Sequence, residues 1–316
     1  MRNKHHVLVL GNVREEGLSV LREFAELTIL PEPAQKADIL AAIQKADAVL
    51  HKIAKTDADV IAVQKKVKII ARHGVGLDDL DLDAIKAAEI PVSVTSTANS
   101  NAVAEATVGL ALAAARHFAQ GDAMIKRDGL WEREHLMGRE IGNTTVGIVG
   151  FGRIGRRSAK LFNAFGAKIV VYDALPGSLV DCSYQTAELD ELLQISDIVC
   201  LHCPLMPGTR HLIDKARLAL MKPDALLINT SRGGLVDTGA LVNAVKNGKI
   251  GGAALDVFDA EPPDFADPVF KQPRILTTPH VAAMTVEAQV QMAILAAKEI
   301  RRVLVEGLPP TNNIFT

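Results

Sequence analysis

Residues 145–155 have the sequence TVGIVGFGRIG, and RRSAKLFNAFG and KIVVYD follow, the last ending at Asp173. A short apolar strand therefore leads into a G-x-G-x-x-G turn formed by Gly150, Gly152 and Gly155, and then into a helix-like segment. Gly150 allows the tight turn, Gly152 lets the backbone approach a pyrophosphate, and Gly155 permits close packing of helix on strand. The helix N-terminus offers free N–H groups to an anion, and Asp173 follows at roughly the expected 20 residues. This segment predicts a dinucleotide-binding βαβ unit.

The composition limits the class of protein. With 316 residues, of which 48% are hydrophobic, the chain is expected to form two globular domains. A net charge of −2 and an aromatic content of 4% argue against a nucleic-acid or membrane partner. The longest apolar stretch, residues 102–115, is shorter than the ~20 residues that span a bilayer, and VLVLG near the N-terminus is too short for a signal peptide. We therefore expect a cytoplasmic protein.

The three cysteines do not form a disulfide framework. Cys200 and Cys203 form a C-x-x-C pair within IVCLHCPL, which raises the possibility of a metal or redox site. That segment, however, has the pattern of a buried strand, in which residues three apart point to opposite faces. We expect no metal site.

Short apolar runs alternate with helix-like segments along most of the chain, a pattern typical of parallel sheets with crossover helices. The predicted strands are residues 7–10, 28–30, 48–50, 68–71 and 91–94, then 146–149, 168–172, 198–202, 225–229, 252–256 and 275–278. The glycine-rich turn normally follows the first strand of its domain, yet here a separate α/β segment precedes it. The sequence thus predicts an α/β fold of two Rossmann-like or flavodoxin-like domains. The dinucleotide-binding domain, residues 100–284, is inserted into a discontinuous substrate domain, residues 1–99 and 285–316.

Two long helices are predicted where the chain passes between these domains. Residues 101–127 form one of them, with apolar residues on more than one face, which indicates burial at a domain or subunit interface. Residues 286–306 form the other and return the chain to the first domain. A cleft between two such domains is a usual place for a cofactor and a small substrate.

Three polar residues follow predicted strands, at the sheet edge where open α/β sheets bind ligands: Arg232 in INTSRGGLVD, Glu261 in LDVFDAEPP and His280 in TTPHVAAMT. Each alone has an ordinary alternative: a helix-capping charge, a loop acid or a core histidine. Together they suit the reduction of a 2-keto acid. The arginine can hold a carboxylate and polarise the carbonyl, while the histidine delivers a proton with the acid raising its pKa.

These segments, together with ARHGVGLDDLDLDA and SNAVAEATVGLALAAAR, occur in the same order in a known family. The chain resembles the D-isomer-specific 2-hydroxyacid dehydrogenases, especially the phosphoglycerate dehydrogenase branch, over nearly its whole length. The resemblance implies that Arg232, Glu261 and His280 are the catalytic residues of an NAD-dependent homodimer. Such an enzyme interconverts a 2-keto acid and a D-2-hydroxy acid, such as phosphoglycerate, hydroxypyruvate, glyoxylate or sulfolactate.

The same resemblance assigns substrate-binding residues. The main-chain amides of Gly74, Val75 and Gly76 are expected to hold the substrate carboxylate, a role that a glycine-rich turn suits physically, and Arg232 and His280 also contact the substrate. Lys52 stands where the phosphoglycerate branch often has an arginine. A lysine keeps the charge but lacks the planar fork, so recognition of a phosphate or sulfonate is left open. Ile53 beside it replaces a common serine.

The negative charge of Asp173 bears on the choice between NAD and NADP. Asp173 is expected to accept hydrogen bonds from the adenosine ribose, and a 2′-phosphate beside it would be repelled by roughly 1–4 kcal/mol. Neither Ala174 nor Leu175 offsets that cost, so NAD is expected over NADP. The resemblance adds further cofactor contacts from Arg153, Ile154, Pro204, Thr209, Thr230 and Asp256. For Asp256 two roles remain open: a contact to the nicotinamide, or a structural cap.

A second function is compatible with the same residues. The alternative is an NAD-sensing, corepressor-like binding protein with little turnover, because such proteins share this scaffold. Formate dehydrogenases resemble a pattern with glutamine in place of Glu261, so they are disfavoured. Since the sequence ends at Thr316, we also expect no C-terminal regulatory extension and no feedback control by serine.

Overall fold

The computed structural model describes residues 4–315. The chain forms two compact units: one contains the described residues up to Asn99 and from Met284 onward, and the other contains Ser100–Ala283. Each unit is built around a parallel sheet with crossover helices, so the predicted α/β fold class is confirmed.

The first unit contains a sheet with strand order β2-β1-β3-β4-β5 among its described residues. Its strands are β1 (His5–Leu10), β2 (Ala25–Leu30), β3 (Ala48–His51), β4 (Ile70–Arg72) and β5 (Val92–Val94), and its first helices are α1 (Glu15–Arg22), α2 (Lys36–Ile43), α3 (Ala58–Ala62) and α4 (Leu82–Ala87). The order reverses between β1 and β3, and open α/β sheets bind ligands outside the carboxyl ends of strands at such a point. Gly11, directly after β1, and Lys52, directly after β3, meet there.

The second unit contains a sheet with strand order β12-β11-β10-β9-β6-β7-β8 among its described residues. Its elements in chain order are α5 (Ser100–Ala115), α6 (Phe118–Ala123), β6 (Thr145–Val149), α7 (Arg153–Ala164), β7 (Lys168–Tyr172), β8 (Gln185–Thr186), α8 (Leu189–Ile195), β9 (Ile198–Leu201), α9 (Lys215–Leu218), β10 (Leu226–Asn229), α10 (Thr238–Lys246), β11 (Gly252–Leu255) and β12 (Ile275–Thr277). The reversal lies between β6 and β9, so the glycine-rich turn after β6 stands at the ligand-binding point of this sheet.

Helix α11 (Val286–Leu304) belongs to the first unit, where it packs on α1. A side-chain carbon at Gly17 of α1 would lie 2.6 Å from the backbone of Ala293, so the two helices pack closely only because Gly17 has none. This helix helps to cover one face of the sheet formed by β1–β5. The final helix is therefore part of the first unit's core.

The predicted single helix over residues 101–127 is wrong. Helix α5 ends at Ala115, and His117 has a φ of 54°, which a helix cannot continue through. The Ala115 carbonyl instead accepts a hydrogen bond from the Arg139 N–H at 2.9 Å, a partner distant in sequence. The chain then forms α6 and one π-helical turn, Met124–Asp128. The apolar composition of this region does not reveal the break, because the decisive contact is long-range.

The other strand predictions agree with the structure to within a few residues, except that the edge strand β8 was not predicted. Cys200 lies in the core on one face of the second sheet, and Cys203 packs against the core on the other. Both are free thiols, and burial raises the pKa of Cys203 to about 11. No group of side chains suited to a metal ion occurs within residues 4–315, and no helix in that range is long and apolar enough to cross a membrane.

Candidate active site

The turn after β6 has the backbone geometry that the glycine pattern predicts. Gly150 has a φ of +95°, and a side-chain carbon there would lie 2.7 Å from the Cys203 nitrogen. At Gly155 a side-chain carbon would overlap the Gly150 carbonyl, whereas at Gly152 it would meet no atom within 4 Å. The first turn of α7 has no side chain capping its N–H groups. The turn is thus closed by Gly150 and Gly155 but open at Gly152, and it offers free N–H donors to an anion.

Asp173 follows β7 and is held by two main-chain groups. One carboxylate oxygen accepts a hydrogen bond from the Phe151 N–H at 2.7 Å, and the other accepts one from the Leu175 N–H at 2.9 Å. The carboxylate is therefore fixed beside the glycine-rich turn, since Phe151 lies between Gly150 and Gly152. Acceptor lone pairs remain for the hydroxyls of a ribose. These residues fit a dinucleotide with an unphosphorylated ribose.

Other predicted cofactor residues have structural partners of their own. The Thr209 hydroxyl donates to the Pro204 carbonyl at 2.7 Å and accepts from the Met206 N–H at 2.8 Å, which closes the loop after β9. The hydroxyl of buried Thr230 is hydrogen-bonded to Thr107 Oγ1 at 2.8 Å. Arg153 and Ile154 begin α7, where no side chain caps the N–H groups of the first turn.

Arg232, Glu261 and His280 follow β10, β11 and β12, which are neighbours in the sheet. His280 Nδ1 lies 2.6 Å from Glu261 Oε2, and the other Glu261 oxygen accepts a hydrogen bond from the Phe258 N–H at 3.0 Å. The Arg232 guanidinium is close enough to lower the pKa of both side chains. The structure therefore brings the three sequence-predicted residues together at one edge of the second unit.

The electrostatics of the pair favour a charged histidine. The Glu261 carboxylate raises the pKa of His280 above its ordinary value, against the opposing effects of burial and of Arg232. Burial alone would raise the pKa of Glu261, but its hydrogen bonds from His280 and from the Phe258 N–H lower that pKa on balance. With Nδ1 committed to Glu261, Nε2 is the ring nitrogen that can exchange a proton with a ligand. The side chain of His280 is 48% exposed, so that exchange is sterically open.

Asp256 supports the turn that carries His280. Its buried carboxylate accepts hydrogen bonds from Thr278 Oγ1 at 2.6 Å, the Val281 N–H at 2.9 Å and the Ala282 N–H at 2.8 Å. Its main-chain carbonyl accepts one from the His280 N–H at 2.8 Å. These are the contacts of a structural cap, the second of the two roles left open by the sequence. They hold His280 in its left-handed conformation, with a φ of 53°.

Sequence reasoning missed the residue that shapes the Arg232 turn. Buried Asn229, the last residue of β10, donates from its side-chain nitrogen to the Arg232 carbonyl at 2.8 Å and accepts from the Ser231 N–H at 3.0 Å. Gly233 then packs so tightly on the Phe258–Asp259 backbone that a side chain there would overlap it. An asparagine ending an otherwise apolar strand was the available signal, because a buried amide must find partners.

The predicted substrate residues Lys52, Gly74, Val75 and Gly76 lie in the first unit, after β3 and β4. The Gly74 N–H donates to Thr95 Oγ1 at 2.8 Å, so it is already used within the fold, contrary to the expectation that all three amides hold an anion. The N–H groups of Val75 and Gly76 donate to no acceptor among the described residues. Among the three residues of this turn, Val75 and Gly76 therefore keep N–H groups that an anion could use.

Comparison with known proteins agrees with this geometry. Residues 108–282 match the family model described as D-isomer specific 2-hydroxyacid dehydrogenase, NAD binding domain. The chain is 38% identical to the hydroxypyruvate reductase of Thermotoga maritima, covering 94% of this chain and 97% of that protein. It is 39% identical to the D-3-phosphoglycerate dehydrogenase of Methanocaldococcus jannaschii, covering 94% of this chain but 57% of that longer protein. The solved TT0316 protein from Thermus thermophilus superposes with a TM-score of 0.91 at 36% identity, covering 98% and 99% of the two chains.

Proposed function

Because this chain belongs to the D-isomer-specific 2-hydroxyacid dehydrogenase family, we propose that it is an NAD-dependent oxidoreductase that interconverts a 2-keto acid and a D-2-hydroxy acid. The observation that carries the proposal is the 2.6 Å contact between His280 and Glu261 within electrostatic reach of Arg232. The anchored Asp173 and the open turn at Gly152 support NAD as the cofactor.

Each residue then has a defined task in the reaction. NAD, when bound, accepts or supplies the hydride at C2 of the substrate. Arg232 binds the substrate carboxylate and polarises the adjacent carbonyl, because its planar guanidinium presents parallel N–H donors. His280 gives a proton from Nε2 to the carbonyl oxygen during reduction and takes it back during oxidation. Glu261 holds the ring in place and stabilises its charged form, while Val75 and Gly76 donate main-chain N–H groups to the carboxylate.

A steady-state screen tests this proposal. Both enantiomers of a panel of 2-hydroxy acids are assayed with NAD, and the corresponding 2-keto acids with NADH. We expect turnover of at least one D acid and much slower turnover of its L isomer. Stoichiometric NAD binding without turnover of any member would refute the assignment and favour the NAD-sensing binding protein. The named relatives are oxidoreductases and give that alternative no support.

The Glu261–His280 pair predicts the pH dependence. Keto-acid reduction needs the charged imidazole, so its rate is full below the pKa of His280 and is lost as pH rises through it; oxidation has the opposite dependence. Since Glu261 raises that pKa, Glu261→Gln is expected to move both profiles to lower pH. The measurement is kcat/KM against pH in both directions. Asp264→Asn, on the same loop but bonded to the Ala266 N–H, is the control and is expected to leave the profiles in place.

Asp173 is expected to set the choice of cofactor. In Asp173→Ala the ratio of kcat/KM for NAD to that for NADP is expected to fall at least ~10-fold, because the repulsion of a 2′-phosphate is removed. The exposed Asp181, nearby in sequence, provides a control, and Asp181→Ala should keep the wild-type ratio. An unchanged ratio in Asp173→Ala would contradict the role of this carboxylate.

We also propose that the protein is a homodimer joined through residues 118–137. Large apolar side chains are exposed along this segment, including Trp131 at 76%: Phe118, Ile125, Leu130, Trp131 and Met137. Such a concentration of exposed apolar side chains is typical of an interface, and a second copy with two-fold symmetry would cover it. A cytoplasmic location is part of the same proposal, because the three thiols of the chain are unpaired.

Sedimentation analysis tests the dimer. The wild-type chain is expected to sediment as a dimer and Trp131→Glu as a monomer, because a charge buried in an apolar interface lacks a partner. The control is Phe265→Glu, which alters an aromatic side chain of similar exposure, 75%, outside the segment and should remain dimeric. A monomeric wild-type chain at micromolar concentration would contradict the proposal.

A further inference from the structure

The carboxyl edge of the first unit's sheet, where the strand order reverses between β1 and β3, carries side chains that bear on which substrates the protein accepts. We define the substrate face as the residues that follow β1, β3 and β4 at this edge: residues 11–13, 52–56 and 73–79. On this face the free N–H groups of Val75 and Gly76 donate to the substrate carboxylate in the proposed reaction. The substituent on C3 of the substrate then contacts the side chains around these donors. This role of the substrate face rests on the proposed function.

The arginine of this region is not available to a ligand. Arg72 ends β4, and its Nη1 donates to Asp79 Oδ2 at 2.9 Å and to His51 Nδ1 at 2.5 Å. His51 Nε2 lies 2.9 Å from the Ala54 carbonyl, which can only accept, so Nε2 carries the proton and Nδ1 is the acceptor for Arg72. Burial lowers the pKa of His51 to about 4, so this histidine is neutral at pH 7. The charge of Arg72 is therefore balanced by Asp79 in a partly buried ion pair.

The second histidine near these donors is also uncharged. His73 is buried directly before Gly74, and its Nε2 lies 3.2 Å from the Gln289 carbonyl. Burial, with a further effect from the Lys52 ammonium, lowers the pKa of His73 to about 4. Neither histidine therefore contributes positive charge to the substrate face at pH 7.

The lysines of the substrate face offer little charge for a second anionic group. Lys52 is half-buried, and its Nζ donates to the Asn12 carbonyl at 2.7 Å. Lys55 is exposed and lies near the Asp57 carboxylate, whose pKa it helps to lower. A phosphate monoester carries ≈ −1.5 to −2 charge at pH 7 in addition to the substrate carboxylate. One lysine already bonded to a carbonyl compensates only part of that charge.

Two of the exposed side chains on the substrate face are apolar. Ile53, in the loop after β3, is 44% exposed, and Val75, in the loop after β4, is 43% exposed. Bringing a dianion against these side chains removes water from the charge and returns no hydrogen bond. An uncharged group on C3 incurs no such cost and buries apolar surface.

We infer that this enzyme acts on 2-keto and 2-hydroxy acids whose C3 substituent is uncharged, with Ile53 and Val75 contacting that substituent, and that it discriminates against phosphorylated and sulfonated substrates. The discrimination is built into this chain by Ile53 and by the pairing of Arg72 with His51 and Asp79. Lys52, whose charge lowers the pKa of the neighbouring His73, is left as the cation of this part of the substrate face.

The test uses substrates that differ mainly in charge, assayed with NADH on the full chain. Hydroxypyruvate is compared with 3-phosphohydroxypyruvate, and 4-methyl-2-oxopentanoate with 3-sulfopyruvate, the second pair controlling for bulk. We expect kcat/KM to favour the uncharged member of each pair by ~100-fold or more, the scale of an uncompensated charge at a desolvated site. Equal or faster turnover of a charged member would overturn the inference while leaving the proposed function intact. Turnover of no keto acid would instead refute the proposed function.

A variant adds a second measurement. Ile53→Arg supplies a planar cation at the reversal point and is expected to shift the ratio at least ~10-fold toward 3-phosphohydroxypyruvate, since a guanidinium pairs with phosphate in bidentate fashion. The matched control is Ile29→Arg, which makes the same change at an apolar side chain of similar exposure, 40%, on the edge strand β2 and outside the substrate face, and its ratio should match the wild-type ratio. An Ile53→Arg variant that binds NADH normally yet keeps the wild-type ratio would count against the substrate face as defined here.

Discussion

His280→Ala is expected to lower kcat for keto-acid reduction by at least ~100-fold, the usual contribution of a positioned general acid. The imidazole is held at 2.6 Å from Glu261, which raises the pKa of His280 and so favours its proton-donating form. No neighbouring group replaces that proton, since the acid beside it has a lowered pKa and is ionised at pH 7. Binding of NAD is expected to be retained, because the glycine-rich turn and Asp173 are elsewhere on the same sheet edge.

Two measurements separate this prediction from a loss of folding. The affinity for NADH is measured by fluorescence titration, and kcat is measured at several pH values. In His280→Ala the pH dependence assigned to the imidazole should disappear together with the rate. His211→Ala alters a partly exposed histidine that lies 3.9 Å from Asp259, and it should retain kcat within about threefold, as surface changes usually do. A His280→Ala variant with near-normal kcat would end the assignment of the general acid.

The second large effect is expected at Arg232. Arg232→Ala should lower kcat/KM at least ~100-fold, because the ionic and bidentate contact to the substrate carboxylate and carbonyl is lost. Arg232→Lys keeps one positive charge but not the fork, so it should recover only part of this loss. The turn itself is fixed by main-chain contacts to Asn229 and by Gly233, so either variant should fold and bind NADH.

The measurement is kcat and KM for the best substrate of the screen, with NADH affinity recorded in parallel. Wild-type kinetics in Arg232→Lys would show that the planar fork is not used. Wild-type kinetics in Arg232→Ala would remove Arg232 from the mechanism altogether. A matched surface control is Arg217→Ala, whose side chain pairs with Asp190 and is expected to leave both constants close to wild type.

Much of the fold could be predicted from the chain because its signals are local. The apolar runs alternate with helical segments, and the strands they predict recur in both sheets. The three glycines of the turn after β6 are also local signals, since Gly150 has a φ that other residues rarely adopt and Gly155 leaves no room for a side chain. Arg232, Glu261 and His280 were found because each follows a strand, and parallel strands end at one edge of a sheet.

The break in the helix at His117 could not be predicted, because it depends on the Arg139 N–H reaching the Ala115 carbonyl. The same holds for Asp256, which the sequence allowed to contact a cofactor but which is buried beneath the His280 turn. Gly74 belongs to a turn with the composition of an anion site, yet its N–H is bonded to Thr95. In each case a partner far away in sequence decided the outcome.

The sequence by itself determined the α/β class, the glycine-rich turn and the placement of Arg232, Glu261 and His280 after neighbouring strands. These follow from side-chain periodicity and from backbone conformations that only certain residues adopt. Tertiary structure alone decided which polar groups are already paired and which remain for a ligand. Arg72 is neutralised by Asp79, whereas Val75 and Gly76 keep free N–H donors. The physical reason is that a hydrogen bond or an ion pair needs two partners at one place, and folding brings those partners together from distant parts of the chain.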